Sequence, residues 1–264
     1  MQLSIQIKDA QGNLRADGEG EDCVSLVYPD EYAPGDRIVL STRPGGLLVI
    51  QLDDAMEPAY VCLKGGSCEL TVPFDEKRIA YSPRAFSGER HLLRARAATP
   101  AEIAARKNLA VNPYDSHENG GCFPHAFANV ETRGESVFAA RNAIDGNTEN
   151  HCHGAWPYES WGINKDPHAE LTVDFGRPVR VDEVVLVTRA DFPHDNWWKQ
   201  AKLSFSDGST ETLTMQKSDR PHAFALTPRV VTRLTLSELI ADADNPSPFP
   251  ALSQIEVYGT EADA

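Results

Sequence analysis

Over the first 98 residues the apolar positions recur at every second residue in short runs: Leu3/Ile5/Ile7, Val24/Leu26, Ile38/Leu40 and Leu70/Val72. A period of two puts the apolar side chains on one face of a strand and the polar ones on the other. The run Leu47 to Leu52 is nearly unbroken and reads as a buried strand. Asp17-Gly18, Pro34-Gly35-Asp36, Pro44-Gly45-Gly46 and Gly65-Gly66 punctuate these runs with residues that preset φ or tolerate a positive φ. Short strands at such spacing predict a small, sandwich-like β domain over 1–98.

Thr99-Pro100-Ala101-Glu102 has the form of a capping box with proline in the first helical turn, and it predicts one short helix. Asn112-Pro113 stops it, because the residue before a proline is pushed out of the α region. The chain is therefore expected to divide into 1–98, a linker helix over 99–110, and a second domain over 111–264. Strand patterns resume at Leu171/Val173/Phe175, Val184 to Val187, Leu203/Phe205, Leu213/Met215, Leu234/Leu236 and Ile255/Val257. Alternation on both sides of Ser206-Asp207-Gly208-Ser209 predicts a hairpin, since Asp-Gly suits the turns that match strand twist. The expected fold class is all-β.

Composition narrows the partners. With 39 acidic against 25 basic residues the net charge is −14, which offers no basic face to nucleic acid or anionic lipid. No run reaches the roughly 18 apolar residues that cross a bilayer, and Met1 to Lys8 alternates like a strand where an export signal would be continuously apolar. The five cysteines, Cys23, Cys62, Cys68, Cys122 and Cys152, form no CxxC pair and read as reduced thiols. These features lead to the expectation of a soluble, cytoplasmic protein, for which a homodimer would be an ordinary state.

Several segments in order carry a family resemblance: Ala143-Ile144-Asp145-Gly146-Asn147 followed by Trp156 and Trp161; Leu171 to Val179; Val181 to Arg189; Phe205-Ser206-Asp207-Gly208; and Ile255-Glu256-Val257-Tyr258-Gly259. Together they make residues 111–260 resemble the discoidin, or coagulation-factor C-type, family, which is galactose-binding-like and includes the family 32 carbohydrate-binding modules. The resemblance implies a jelly-roll β-sandwich with ligands held by loops at one end. It also implies a structural calcium beside the Asp-Gly-Asn turn, for which Asp145 and Asn147 are the matching residues. Gln254 stands where the family places a late acidic ligand.

Two loops concentrate the candidate chemistry. Arg189 to Trp198 packs carboxylates, a guanidinium, an imidazole and two indoles into ten residues, and His151 to Trp161 adds two histidines and two tryptophans. Aromatic faces stack on the C–H side of a sugar ring while planar polar groups bond its hydroxyls. The expected ligand-binding residues are His153, Trp156, Arg189, Asp191, His194, Asp195, Trp197 and Trp198, with Trp161 and one of Trp197 and Trp198 also readable as core. The expected function is a non-catalytic, lectin-like carbohydrate-binding protein that takes a mono- or oligosaccharide. The alternatives are a metal-dependent carbohydrate-active enzyme built on His151, His153, Asp191 and His194, and a protein-interaction module. A further polar group, His125, Asn129, Glu131, Arg133, Arg141 and Asn142, suggests a Glu131–Arg133 ion pair at the domain junction.

Overall fold

The computed structural model describes residues 1–151, 156–190 and 195–262. In chain order the elements are β1 (Gln2–Lys8), β2 (Leu14–Glu21), β3 (Cys23–Tyr28), β4 (Arg37–Arg43), β5 (Gly46–Gln51), β6 (Ala59–Leu63), β7 (Ser67–Thr71), β8 (His91–Ala97), α1 (Pro100–Ala104), β9 (Lys107–Asn108), β10 (Cys122–Phe123), β11 (His125–Ala128), β12 (Trp161–Gly162), β13 (Leu171–Thr188), β14 (Trp198–Phe205), β15 (Thr210–Thr214), β16 (His222–Ala241) and β17 (Ala251–Glu261). No described helix is long and apolar enough to cross a membrane.

Apart from β2, which runs through the Asp17-Gly18 expected as a turn, the strands from β1 to β8 behave as the period-two pattern dictates. A four-stranded sheet in the order β2-β1-β4-β7 faces a five-stranded one in the order β10-β6-β5-β8-β3. Leu3, Ile5 and Ile7 of β1, Ile38 and Leu40 of β4, and Leu48 and Ile50 of β5 fill one common core. Ile5 lies opposite Leu40 and Ile7 opposite Ile38, so the register keeps both apolar rows on the same face. Tyr114 and Cys122 join this core from further along the chain, and β10 extends the sheet at β6.

The capping box at Thr99 forms: the Thr99 hydroxyl accepts from the Glu102 backbone N–H, and the Glu102 carboxylate accepts from the Thr99 N–H at 2.8 Å. The helix is shorter than expected and ends at Ala104, where Ala105 is already extended. Tertiary pairing overrides the propensity that follows. Lys107 and Asn108 pair with Gly259 and Tyr258 of β17, and the Leu109 N–H donates to the Val257 carbonyl at 2.7 Å. The Lys107 ammonium meanwhile caps the carbonyls of Glu102, Ile103 and Ala105.

The second core is wrapped by one hydrogen-bonded set of strands in the order β12-β17-β13-β16-β14-β15, with β11 on β13 and β9 on β17. Leu171/Val173/Phe175 and Val184 to Val187, expected as separate strands, belong to one, since β13 runs for 18 residues, and the strand expected at Leu234/Leu236 extends as β16 over 20. Both bend where the register slips between Asp174 and Val179. Gly176 sits in that bend at φ 68°, and a side-chain carbon there would lie 2.3 Å from the Phe123 ring, so the position requires glycine. The predicted hairpin joins β14 to β15, with Ser204 opposite Thr210 and the Asp207 carboxylate accepting from the Ser209 N–H at 2.9 Å.

The segment between the cores is organised by Asp115. Its carboxylate is buried and accepts from Asn119 Nδ2 at 2.7 Å, the Ala126 N–H at 2.8 Å and His125 Nδ1 at 2.8 Å. Burial would lower the His125 imidazole, but the hydrogen bond and charge of Asp115 outweigh it and hold the pKa above its ordinary value. His125 gains this partner only on folding, so the pair contributes its full stability below the unfolded value of about 6.5 and loses it as the pH rises through the raised folded value. Denaturant midpoints are therefore expected to fall between pH 6 and pH 9, and His125→Gln should flatten that part of the profile; an unchanged profile in the variant would show that the pair contributes nothing.

Candidate functional site

The last turn of β13 delivers Arg189 to one end of the second sandwich, where its N–H donates to the Ala251 carbonyl at 3.2 Å and ties the strand exit to the start of β17. The guanidinium is buried. Its Nε lies 3.1 Å from Asp195 Oδ2, and Nη1 donates to the Tyr158 carbonyl at 3.2 Å and to Ser160 Oγ at 3.3 Å. It also sits 5.3 Å from the centre of the Tyr158 ring. Burial pushes the Arg189 guanidinium below its ordinary pKa while Asp195 works in the other direction. Arg189 is thus the side chain through which the two loops singled out in the sequence meet.

Beside this pair lies a groove of about 230 Å³. Arg189 and Asp195 form part of its lining, Gly162 to Lys165 and Arg133 supply another wall, and Phe249 supplies an aromatic one. Phe249 is 38% exposed, with the Lys165 ammonium 4.7 Å from its ring centre. Arg133, Asn164 and Lys165 all have φ in the left-handed region, at 53°, 49° and 64°. Non-glycine residues avoid that region, and where a fold retains them they cluster at sites of function. The Asn164 backbone is held by Thr132 Oγ1, which accepts from its N–H at 2.9 Å.

The other predicted residues are distributed differently. Trp198 is in the core against Trp161, with ring centres 6.4 Å apart, and cannot serve as a platform. Trp197 is half-buried and its indole N–H donates to Asp242 Oδ2 at 3.1 Å. Trp156 is 42% exposed but opens on a separate cleft of about 450 Å³ between the two sandwiches, with Asp145, Asn147, Glu159 and Arg141. His153, Asp191 and His194 lie outside the described residues, as does most of the histidine cluster of the enzyme alternative; His151 is described and exposed. The expected Glu131–Arg133 ion pair is replaced by two others. Glu131 accepts from His117 Nε2 at 2.8 Å and from the Ala140 N–H, whereas Arg133, turned away by its left-handed backbone, binds Glu135 at 2.6 Å.

Calcium takes about six to eight oxygens, and at the Asp-Gly-Asn turn the structure brings together the side chains of Asp145, Asn147 and Glu159. One Asp145 oxygen accepts from the Asn147 N–H, Asn147 Nδ2 donates to Glu159, and the Gln254 amide oxygen accepts from the Gly146 N–H at 3.2 Å. A neutral amide thus occupies the place of the late acidic ligand and is already bonded to the turn. Burial, and less strongly the Glu159 charge, raise the Asp145 carboxyl to about 8 against the opposing charge of the Arg141 guanidinium.

Phe249, Asn164 and Lys165 were not singled out from the sequence. The signal for Phe249 was its setting, Pro246-Ser247-Pro248-Phe249-Pro250, where flanking prolines keep an aromatic residue on a stiff, surface-running segment. Nothing in the sequence marks the left-handed pair Asn164-Lys165 beyond its position just after Trp161-Gly162.

A two-layer β unit with a groove among the loops at one end is the general architecture of sandwich-borne ligand-binding domains. Residues 127–234, within the second unit, match the family described as F5/8 type C domain. No curated protein matches the chain. Among solved structures, chitosan-binding module 1 from a chitosanase/glucanase of Paenibacillus sp. IK-5 is 18% identical, covers 59% of this chain and 100% of its own, and has a TM-score of 0.41. The family 32 CBM from C. perfringens NanJ, in complex with galactose, is 16% identical over 50% of this chain and 91% of its own, with a TM-score of 0.39. A fucose binding module of Streptococcus pneumoniae, SpX-3, is 15% identical over 59% and 99%, with a TM-score of 0.41.

Removing one partner of a buried ion pair leaves a charge without its counterpart, at a cost of about 3–5 kcal/mol. Asp195→Ala is expected to lower the unfolding free energy by that order in urea titrations, and a loss below about 1 kcal/mol would mean that Arg189 is held mainly by Tyr158 and Ser160.

Proposed function

We propose that the second unit is a non-catalytic carbohydrate-binding module whose site is the groove between Phe249, Lys165 and the Arg189–Asp195 pair. The observation that carries this reading is the convergence there of an exposed aromatic face, a fixed charged pair and three left-handed non-glycine residues. A sugar presents an apolar C–H face and a rim of hydroxyls; Phe249 suits the first, while Asn164, Lys165 and Arg133 suit the second. The family match over 127–234 supports the reading, because the discoidin resemblance includes sugar-binding modules. The groove is smaller than the roughly 300–1,000 Å³ typical of enclosed small-molecule sites, which favours a mono- or short oligosaccharide bound at the surface. Since Arg189 and Asp195 are buried and paired, they act by holding the loops in register and presenting a charged floor. The net charge of −14 steers the protein away from polyanionic partners and leaves a neutral glycan as the best-matched class.

A glycan-array screen followed by calorimetric titration tests the proposal. Phe249→Ala is expected to weaken binding of any hit by about tenfold or more, the loss of roughly 1.4 kcal/mol, with Trp156→Ala unchanged because that ring faces a different cleft. Binding that is lost in Trp156→Ala and retained in Phe249→Ala would move the site to the inter-sandwich cleft, and an array blank with and without calcium would overturn the carbohydrate reading.

A further inference from the structure

In the first sandwich, remote from the loop-end groove, Asp53, Asp54 and His91 bring three ligand atoms within 4.8 Å of one another, the only such group of three or more His, Cys, Asp and Glu side chains among the described residues. Asp53 and His91 are buried, with 1% and 2% of their surface exposed, and Asp54 is exposed. Each side chain is already oriented. The Asp53 oxygens accept from the Ala55 N–H and the Phe86 N–H, both at 2.8 Å. His91 Nε2 lies 2.9 Å from the Gly88 carbonyl, and since a carbonyl can only accept, Nε2 carries the hydrogen and donates. In the neutral ring this leaves the Nδ1 lone pair facing Asp53 Oδ2, at 3.8 Å, too far for a hydrogen bond.

Two acceptors that face one another across such a gap repel unless something positive lies between them. The arrangement also has the outer bonds characteristic of metal ligands: an imidazole whose other N–H is tied to a backbone carbonyl, and a carboxylate held by backbone N–H groups. A second observation concerns a residue packed against His91. The Tyr32 hydroxyl is buried, has no hydrogen-bond partner, and belongs to a ring whose centre is 4.3 Å from that of His91. The backbone is bent to make the site as well, since Phe86, whose N–H reaches Asp53, has φ 55°.

We propose that Asp53, Asp54 and His91 form a zinc site in the first sandwich. One imidazole nitrogen and two carboxylate oxygens suit zinc, which binds such ligands at about 2.0–2.2 Å in a tetrahedron and accepts water or Tyr32 at the fourth position. Two carboxylates and a neutral imidazole balance its charge. The ion would pin the turn after β5 to the 82–88 loop and the start of β8, and the exposed Asp54 gives it an entry path.

The test uses the full chain, stripped with a chelator and titrated with zinc chloride by calorimetry, with cobalt(II) absorption as a report on ligand geometry. The expected result is one saturable zinc per chain and a raised thermal midpoint, because a ligand that binds only the native state stabilises it. Asp54→Asn, an exposed substitution that leaves the fold intact by circular dichroism, should weaken zinc at least tenfold, and His91→Gln should remove it. Absence of saturable binding in the parent, or Asp54→Asn binding as tightly as the parent, overturns the proposal, the second outcome assigning any zinc to other side chains.

Discussion

A buried strand must have every backbone N–H and C=O paired, and the 18-residue β13 meets this requirement by changing partners along its length. Its first part pairs with β11 and the far half of β16, and its second with β17 and the near half of β16. The change of partner is what bends the strand, and the bend at Gly176 lets one hydrogen-bonded set enclose a core on both sides. Everything at the loop end follows from where this strand stops. With Thr188 still paired to Leu252, Arg189 leaves the sheet inside the protein, where its charge requires Asp195, Tyr158 and Ser160 around it.

The alternating strands of the first sandwich were legible because their apolar rows are strict: Leu3, Ile5 and Ile7 admit one register only. β2 was not legible, since its sequence Leu-Arg-Ala-Asp-Gly-Glu-Gly-Glu carries no apolar alternation and its place is set by pairing with β1 at a sheet edge. The Asp207-Gly208 hairpin was read correctly because turn chemistry is local. The continuity of β13 was hidden because Gly176-Arg177-Pro178 looks like a strand end, and only tertiary partners show that it is a bend. At the candidate site the charged pair was visible as residue types in one loop. The partners Phe249, Asn164 and Lys165 come from distant segments, and left-handed backbone at Asn and Lys leaves no mark in a sequence.

The two sandwiches share chain as well as contact. Tyr114 and Cys122 lie in the first core although they follow the helix, and the Tyr114 hydroxyl donates to the Glu57 carbonyl at 2.9 Å. Arg141 then locks the junction: buried, it donates to the Asp115, Pro113 and Asn142 oxygens at 2.9 Å, and its guanidinium lies 4.3 Å from the Tyr81 ring centre of the other unit. A buried guanidinium whose hydrogen bonds end on neutral oxygens is tolerated because a ring face and nearby carboxylates share its charge. Such a junction resists hinge motion, since separating the units would strip the buried Arg141 guanidinium of the Tyr81 ring face.

That rigidity bears on how the groove can work. A site with a mobile floor would have to order its polar groups on each binding event, and the lost side-chain freedom would oppose affinity. Here the ordering is done during folding: Arg189 is fixed by the end of β13, Asn164 by Thr132, and Arg133 by Glu135. The cost appears as left-handed backbone at three residues, while Trp161 and Trp198 pack against each other in the core of the same sandwich. On the proposed carbohydrate-binding reading, the two buried indoles stabilise the sandwich and the smaller Phe249, held between Pro248 and Pro250, is the ring that would meet the sugar.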